Sequence, residues 1–76
     1  MALAEELREV VAMLLWLEPD EVATDASFEE LGVDSLGRLE LIATVEQHLN
    51  RLLPEDEIPE LDTIDEVVKY AESLAA

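Results

Sequence analysis

The sequence predicts an all-α fold: a small four-helix bundle of three long helices and one short one, with a long loop between helices one and two. Three stretches carry apolar residues at steps of three and four, a spacing that places those residues on one face of a helix. The two glycines and three prolines lie outside these stretches, except for Gly37. A chain of 76 residues has room for one core, so we assign residues 1–76 to a single domain.

Helix one is predicted over residues 3–16, because Pro19 cannot continue it. Its buried face consists of Leu3, Leu7, Val10, Val11 and Leu14. The long loop follows, and inside it the segment SFEELG predicts one helical turn. Ser27 and Glu30 have the spacing of a capping box, and Gly32 suits the left-handed residue that often ends a helix.

Helix two is predicted over residues 35–50, with Asp34 as its N-cap. Its inward face has Leu41, Val45 and Leu49, flanked by Leu39 and Ile42. Its opposite face carries a second stripe at helical spacing, made of Leu36, Glu40, Ala43 and Gln47. Ser35 therefore falls in the first turn, beside an apolar residue that the core does not need.

The rest of the chain predicts one short and one long element. Two prolines lie within residues 54–61, so this acidic segment can hold only a turn or the short helix. Thr63 and Glu66 repeat the capping-box spacing and open the last helix, over residues 64–75. Its buried stripe consists of Ile64, Val67, Val68, Ala71 and Leu74.

The charge balance limits the partners. Twenty Asp and Glu residues against four Lys and Arg give a net charge of −16, which repels nucleic acids and anionic membranes and attracts basic protein surfaces. The apolar run at residues 10–17 has acidic flanks unlike those of a secretory signal, and it is too short to span a bilayer. We therefore expect a monomeric, cytoplasmic protein that binds neither nucleic acid nor membrane.

The sequence offers little for catalysis. Its single histidine, His48, lies about 20 Å along helix two from Ser35 at ~1.5 Å per residue, so it cannot act as a base for that serine. No window has the acidic spacing and central glycine of an EF-hand calcium loop. Without cysteine, a thiolate metal site is excluded. We predict a non-catalytic protein with no metal site.

Ser35 is the candidate site. A hydroxyl at the N-terminal end of a helix can carry a phosphate ester, because free amides and the helix dipole favour an anion there. An ordinary helix-start serine is the alternative.

The segment ELGVDSLGRLELI resembles the prosthetic-group attachment segment of acyl carrier proteins, the 4′-phosphopantetheine carrier domains. The loop with SFEELG and the last-helix opening LDTIDEVVKY fall in that family's order and spacing, so the resemblance covers essentially the whole chain.

The resemblance implies a site and its partners. Ser35 would carry 4′-phosphopantetheine, transferred from coenzyme A by a phosphopantetheinyl transferase that reads Asp34 and Leu36. Acyl groups would be held as thioesters on the prosthetic thiol, which explains a chain without cysteine. A ketosynthase, an acyltransferase or another synthase enzyme would dock through a basic patch. The docking residues implied on helix two are Arg38, Glu40, Ala43 and Glu46.

The resemblance also implies that the apolar interior can shelter an acyl chain. The candidates for such a pocket are Leu39, Ile42, Val45, Ile64 and Val68, and each of them also suits plain core packing.

Gly37 and Arg38 depart from the acidic pattern common in the family. Arg38 either selects partners or is a neutral surface residue. Gly37 is expected to loosen the first turn of helix two.

These features predict an acyl carrier protein, with polyketide synthesis favoured over fatty acid synthesis by the altered start of helix two. Val33 and the acidic balance favour acyl cargo over peptidyl or aminoacyl cargo, the alternative within the same chemistry. The alternative of another class is an unmodified acidic helical interaction module, in which Ser35 only begins a helix. Met1, directly before helix one, favours a discrete protein over a piece of a larger synthase.

Overall fold

The computed structural model describes residues 2–75, so Met1, on which the expectation of a discrete protein rests, lies outside the described residues. The α-helices are α1 (Leu3–Leu15), α2 (Phe28–Leu31), α3 (Ser35–Leu49) and α4 (Ile64–Ala75). Two single 3₁₀ turns, Pro19–Glu21 and Glu55–Glu57, lie in the connections. The predicted all-α bundle is confirmed. Its short helix is α2, and the acidic segment before α4 holds only a turn.

The core lies between the three long helices. Its most deeply buried side chains are Leu7, Val11, Val22, Leu41, Val45 and Ile64. Phe28 and Val33 bring the loop into the same core, which fixes the chain just before α3. Within residues 2–75 no polar or charged side chain is buried, so burial of apolar surface is the main source of stability.

Helices α1 and α3 run antiparallel, and two contacts define their register. Near one end, His48 Nδ1 lies 3.0 Å from Glu6 Oε2. Near the other end, Leu14 packs against the first turn of α3. Glycine has no β-carbon, but one added to Gly37 would lie 3.5 Å from Cδ1 of Leu14. The end of α1 is therefore next to the beginning of α3.

The connection between α1 and α3 is ordered by local caps. Trp16 ends α1 in the left-handed conformation, with φ 61° and ψ 38°. The capping box of α2 is confirmed, because Ser27 Oγ accepts from Glu30 N at 3.0 Å while Ser27 N donates to Glu30 Oε1 at 3.0 Å. The left-handed exit is confirmed as well, with φ 90° at Gly32. Glu18 and Glu21 form a further capping box, which was not predicted from the sequence.

Backbone hydrogen bonds hold this connection against the start of α4. Phe28 N donates to Asp62 O at 2.7 Å, and Asp65 N donates to Thr24 O at 3.0 Å. The predicted cap of α4 is present, since Glu66 N donates to Thr63 Oγ1 at 3.1 Å and Thr63 N donates to Glu66 Oε1 at 3.1 Å. These hydrogen bonds therefore hold the connection in place just before the start of α3.

Among the helices described here, none combines the length and apolar character needed to cross a membrane.

Candidate functional site

Ser35 is the first residue of α3, and its neighbours fix its position. The chain leaves α2 through Gly32, buries Val33, and passes through Asp34 in an extended conformation. The Asp34 carboxylate accepts a hydrogen bond from Gly37 N at 2.8 Å, which confirms the predicted N-cap. Ser35 itself is exposed. Its hydroxyl therefore faces solvent at the positive end of a helix of 15 residues.

Ser35 differs from the other two serines of the chain. The Ser27 hydroxyl is the cap of α2 and accepts from Glu30 N. The Ser73 hydroxyl donates to Tyr70 O at 2.6 Å within α4. Both of these hydroxyls are engaged in local helix structure, whereas Ser35 stands at the mouth of a groove.

This groove, of about 540 Å³, separates α3 from the segment that precedes α4. Its apolar walls are formed by Phe28, Leu39, Leu41, Ile42, Leu53, Ile58, Pro59, Leu61 and Val67. Ser35 and Arg38 line it on the side of the α3 N-terminus, and Glu46, Glu55 and Glu60 complete its polar lining. The groove can hold a flexible apolar chain that begins at Ser35.

The five residues proposed for an acyl pocket fall into two groups. Leu39 and Ile42 line the groove. Val45 and Ile64 are fully buried in the core, and the half-buried Val68 packs against that core without lining the groove. The contribution of Leu53, Ile58 and Leu61 to the groove was not predicted from the sequence. For Ile58 and Leu61 the signal is the recurrence of apolar residues inside the otherwise acidic segment at residues 54–61.

The predicted docking residues differ in exposure. Leu36 keeps 71% of its surface exposed and Glu40 is exposed, while Ala43 is half-buried. The carboxylate of Glu46 accepts a hydrogen bond from Leu53 N at 2.8 Å, so this residue also fixes the chain after α3. Arg38 is half-buried, with its guanidinium carbon 5.5 Å from the centre of the Phe28 ring. That spacing gives a cation–π contact.

Gly37 has a packing role that its sequence position did not reveal. It is buried, and a β-carbon there would lie 2.8 Å from Val33 Cγ1. The glycine therefore lets the first turn of α3 approach Val33 and Leu14. Its effect on the looseness of this turn stays a prediction.

Comparison with known proteins identifies the family. Residues 5–71 match the family model described as the phosphopantetheine attachment site. The chain is 36% identical to the acyl carrier protein of Wolinella succinogenes over 96% of this chain and 97% of that protein. It is also 36% identical to the acyl carrier protein of a Sulfurovum species, over 97% of this chain and 100% of that one. The chain belongs to the acyl carrier protein family.

A third relative extends the same pattern. The acyl carrier protein of Zymomonas mobilis is 35% identical over 88% of this chain and 87% of its own length. Membership of the family implies a covalently attached 4′-phosphopantetheine group. Acyl carrier proteins are carriers that interact with a phosphopantetheinyl transferase and with synthase enzymes. An exposed hydroxyl at a capped helix N-terminus, open to an apolar groove, fits a phosphate-linked arm of this kind.

Proposed function

We propose that Ser35 is the attachment point of 4′-phosphopantetheine in this carrier protein. The observation that carries the proposal is the position of its exposed hydroxyl, at the N-terminus of α3 and at the mouth of an apolar groove. The Asp34 side chain caps the helix and holds the serine in place. Asp34 and the exposed Leu36 are the flanking residues that a phosphopantetheinyl transferase reads.

The prosthetic group supplies a thiol that holds acyl groups as thioesters. The protein supplies attachment, orientation and recognition. Leu36, Glu40 and Ala43 form the contact with partner enzymes, together with Glu46 and Arg38. The charge of −16 draws basic partner surfaces toward the carrier, and such attraction raises association rates more than final affinity. This suits a non-catalytic carrier that leaves each enzyme after one step.

The groove gives an acyl chain a place to lie. Leu39 and Ile42 face it from α3, and Ile58 and Leu61 close it from the segment before α4. An acyl chain that enters from Ser35 passes Arg38 first and then meets apolar side chains. Val45 and Ile64 serve the core, and Val68 packs beside them.

The cargo is an acyl or polyketide intermediate, presented to a ketosynthase, an acyltransferase or a related enzyme of polyketide or fatty acid synthesis. Three relatives bear the name acyl carrier protein, which favours acyl cargo over the peptidyl or aminoacyl alternative. Gly37 and Arg38, at the start of the docking helix, favour polyketide use. The protein acts as a cytoplasmic monomer, with residues 1–76 as one domain.

Intact-mass analysis tests the attachment. The protein is incubated with coenzyme A, magnesium and a broad-specificity phosphopantetheinyl transferase. We expect one phosphopantetheine adduct on the wild type and on the matched control Ser73→Ala, and none on Ser35→Ala. No adduct on the wild type would support the unmodified interaction module instead. An adduct on Ser35→Ala would place the attachment at another residue and overturn the assignment to Ser35.

The cargo is tested by loading the modified protein. Malonyl, octanoyl and aminoacyl donors are supplied in parallel with their cognate loading enzymes, and thioester formation is followed by mass. We expect malonyl and octanoyl transfer and no aminoacyl transfer. With octanoyl bound, methyl resonances of Ile42 and Ile58 should shift while those of buried Ile64 stay in place. Unchanged Ile42 and Ile58 resonances would exclude the groove as the acyl site.

A further inference from the structure

The C-terminal end of α1 exposes three large apolar side chains within four consecutive residues. Met13 is 73% exposed, Leu14 is 40% exposed and Trp16 is 95% exposed. We refer to these three residues as the α1 cap. Single exposed apolar residues are ordinary on protein surfaces, but a cluster that includes tryptophan is typical of a binding surface. Tryptophan is also one of the residue types enriched at energetic hot spots of interfaces.

The backbone conformation at Trp16 is one that favours glycine. Its φ of 61° and ψ of 38° lie in the left-handed region, which costs a non-glycine residue roughly 1–2 kcal/mol. Glycine adopts this conformation freely and is common at the end of a helix. An indole that is 95% exposed gains almost no burial within the folded chain in return. Folding alone therefore does not account for tryptophan at this position.

One residue of the α1 cap, Leu14, is continuous with the surface around Ser35. A depression of about 470 Å³ joins Leu14 of the cap to the start of α3. Its other lining residues include Val33, Asp34, Leu36, Leu39 and Glu40. Leu14 Cδ1 would lie 3.5 Å from a β-carbon on Gly37, two residues beyond Ser35. An apolar surface thus runs from Leu14 to Leu36.

An enzyme that modifies Ser35 contacts the surface around that residue. It must bring its active site onto the Ser35 hydroxyl itself, so its contact area is centred there. A protein interface of standard size buries ~800 Å² per partner, and a disc of that area reaches about 16 Å from its centre. Leu14 lies within that reach, because it packs against the first turn of α3, and Trp16 follows Leu14 by two residues in the chain.

Charge favours an enzyme surface over other occupants. Glu18, Asp20 and Glu21 follow the α1 cap in sequence, and Glu40 lies at the depression beside it. A second copy of the chain would bring another net charge of −16, and an anionic membrane would be repelled in the same way. A partner surface with an apolar depression bordered by lysine or arginine fits both the indole and its acidic surroundings.

We propose that the α1 cap is a second contact site for the phosphopantetheinyl transferase, in which Trp16 inserts into an apolar depression on the enzyme. The proposal rests on the proposed function of Ser35. Helix α3 presents the hydroxyl and Leu36, and the α1 cap adds an apolar anchor at the end of α1, where Leu14 lines the depression. Recognition of the carrier therefore involves α1 as well as α3.

Binding at the cap can be observed directly, because Trp16 is the only tryptophan in the chain. The Ser35→Ala variant, which cannot be modified, is labelled with 5-fluorotryptophan and gives one fluorine resonance. It is titrated with a broad-specificity transferase and coenzyme A. We expect this resonance to shift or broaden as the complex forms, and to return when salt dissociates the complex. A fluorine resonance that neither shifts nor broadens when the transferase is added overturns the proposal.

Kinetics provide the second measurement, on carrier with Ser35 intact. Trp16→Gly removes the indole and suits the left-handed backbone, so this variant is expected to fold. It should raise the KM for the carrier about tenfold while leaving kcat unchanged. Leu52→Ala is the matched control, since Leu52 is 82% exposed and lies beyond the other end of α3. An unchanged KM in Trp16→Gly, or an equal rise in Leu52→Ala, overturns the proposal.

The outcomes separate this proposal from the proposed function. If wild-type protein gains no adduct even at high concentration, the attachment at Ser35 fails. If the adduct forms with no dependence on Trp16, only the proposal for the α1 cap fails. Light scattering that shows a dimer lost in Trp16→Gly identifies a second copy as the occupant and overturns the proposal. A fluorine shift caused by phosphatidylglycerol vesicles but not by the transferase assigns the cap to a membrane and overturns it as well.

Discussion

A β-carbon on Gly37 would lie 2.8 Å from Cγ1 of Val33, closer than two carbon atoms can approach without displacement. Both residues are buried, and Val33 is followed directly by Asp34 and Ser35. The absence of a side chain at Gly37 therefore lets the first turn of α3 fold over Val33. This contact fixes the short stretch of chain that carries the proposed attachment site.

The contact predicts that Gly37→Ala destabilises the protein. Alanine gains about 1 kcal/mol of helix propensity over glycine, but overpacking a buried site typically costs ~1–3 kcal/mol. Valine is stiff at χ1 and cannot turn away easily. We expect a net loss of about 1 kcal/mol in the free energy of unfolding, measured by urea denaturation.

A double-mutant cycle provides the control. Val33→Ala removes the atom that the new β-carbon would meet, so Gly37→Ala should cost less in that background. A Gly37→Ala variant that is more stable than wild type would contradict the close contact. It would support the expectation that the glycine loosens the start of α3.

Two variants of Asp34 can separate its role as the N-cap of α3 from its proposed role in recognition by the transferase. Its carboxylate accepts from Gly37 N at 2.8 Å, and asparagine can accept the same bond without charge. Asp34→Ala should therefore lower the free energy of unfolding by about 1 kcal/mol, whereas Asp34→Asn should lower it by much less. If the transferase reads the charge, both variants should be modified slowly. Rapid modification of Asp34→Asn would mean that only the cap matters.

The sequence was sufficient for the helices because their signals are local. Apolar spacing predicted α1, α3 and α4, each within one residue of its observed ends. The capping boxes at Ser27 and Thr63 were predicted because each needs only two residues three positions apart. The turn at Pro19–Glu21 was missed, since its cap is Glu18, a residue less typical of that position than serine or threonine.

The parts that sequence did not predict depend on distant contacts. Gly37 looked like a weak helix residue, and only the position of Val33 and Leu14 shows why glycine is needed there. Leu39 was expected to flank the inward face but is 56% exposed, because it lies between the groove and the depression next to α1. Ser35 was proposed as the attachment site from its local pattern and from the family resemblance. The walls of the groove beside it required the folded chain.

His48 is expected to matter for packing of the helix ends and not for chemistry. Its Nδ1 lies 3.0 Å from Glu6 Oε2, which joins the end of α3 to the beginning of α1. Both side chains are about one-third exposed, and pairs of that kind contribute ~0–1 kcal/mol. His48→Gln should lower the free energy of unfolding by less than about 1 kcal/mol. It should leave the rate of Ser35 modification unchanged; a large loss of rate would contradict the assignment.

The ionisation of Glu30 should make the free energy of unfolding depend on pH, in a direction that follows from its pKa. Hydrogen bonds from the Ser27 backbone and then from its side chain hold the pKa of Glu30 below its ordinary value of 4.5. The folded protein therefore binds this proton less readily than the unfolded chain. The contribution to stability is fully present above pH 4.5 and is lost as the pH falls through the lowered folded-state pKa.

The matched variant for this prediction is Glu30→Gln, which can keep a hydrogen bond to Ser27 N without the charge. We expect wild type to be more stable than Glu30→Gln near neutral pH, and the difference to shrink as the pH falls below 4.5. Comparing the two proteins removes the pH dependence of the other carboxylates. The measurement is the difference in free energy of unfolding at each pH. A constant difference from pH 7 to pH 3 would contradict the prediction.

Arg38 is expected to slow docking of enzymes that carry a basic patch. It lies one helical turn after Ser35, with its guanidinium over the Phe28 ring, so it places a positive charge within the proposed docking surface. Arg38→Glu should raise the association rate with the transferase severalfold at low salt, and the gain should disappear at high salt. Lys69→Glu on α4 makes the same change in net charge and is the control.

The control decides between local and overall charge. Equal gains in Arg38→Glu and Lys69→Glu would mean that only net charge matters. A slower association of Arg38→Glu would mean that the guanidinium contacts an acidic group of the enzyme. Loss of the contact with Phe28 should cost about 0.5–1 kcal/mol of stability, so both variants are compared well below their melting temperatures. A selective gain in Arg38→Glu supports a role for Arg38 in the choice of partner, because the same side chain then repels enzymes whose basic patch meets the start of α3.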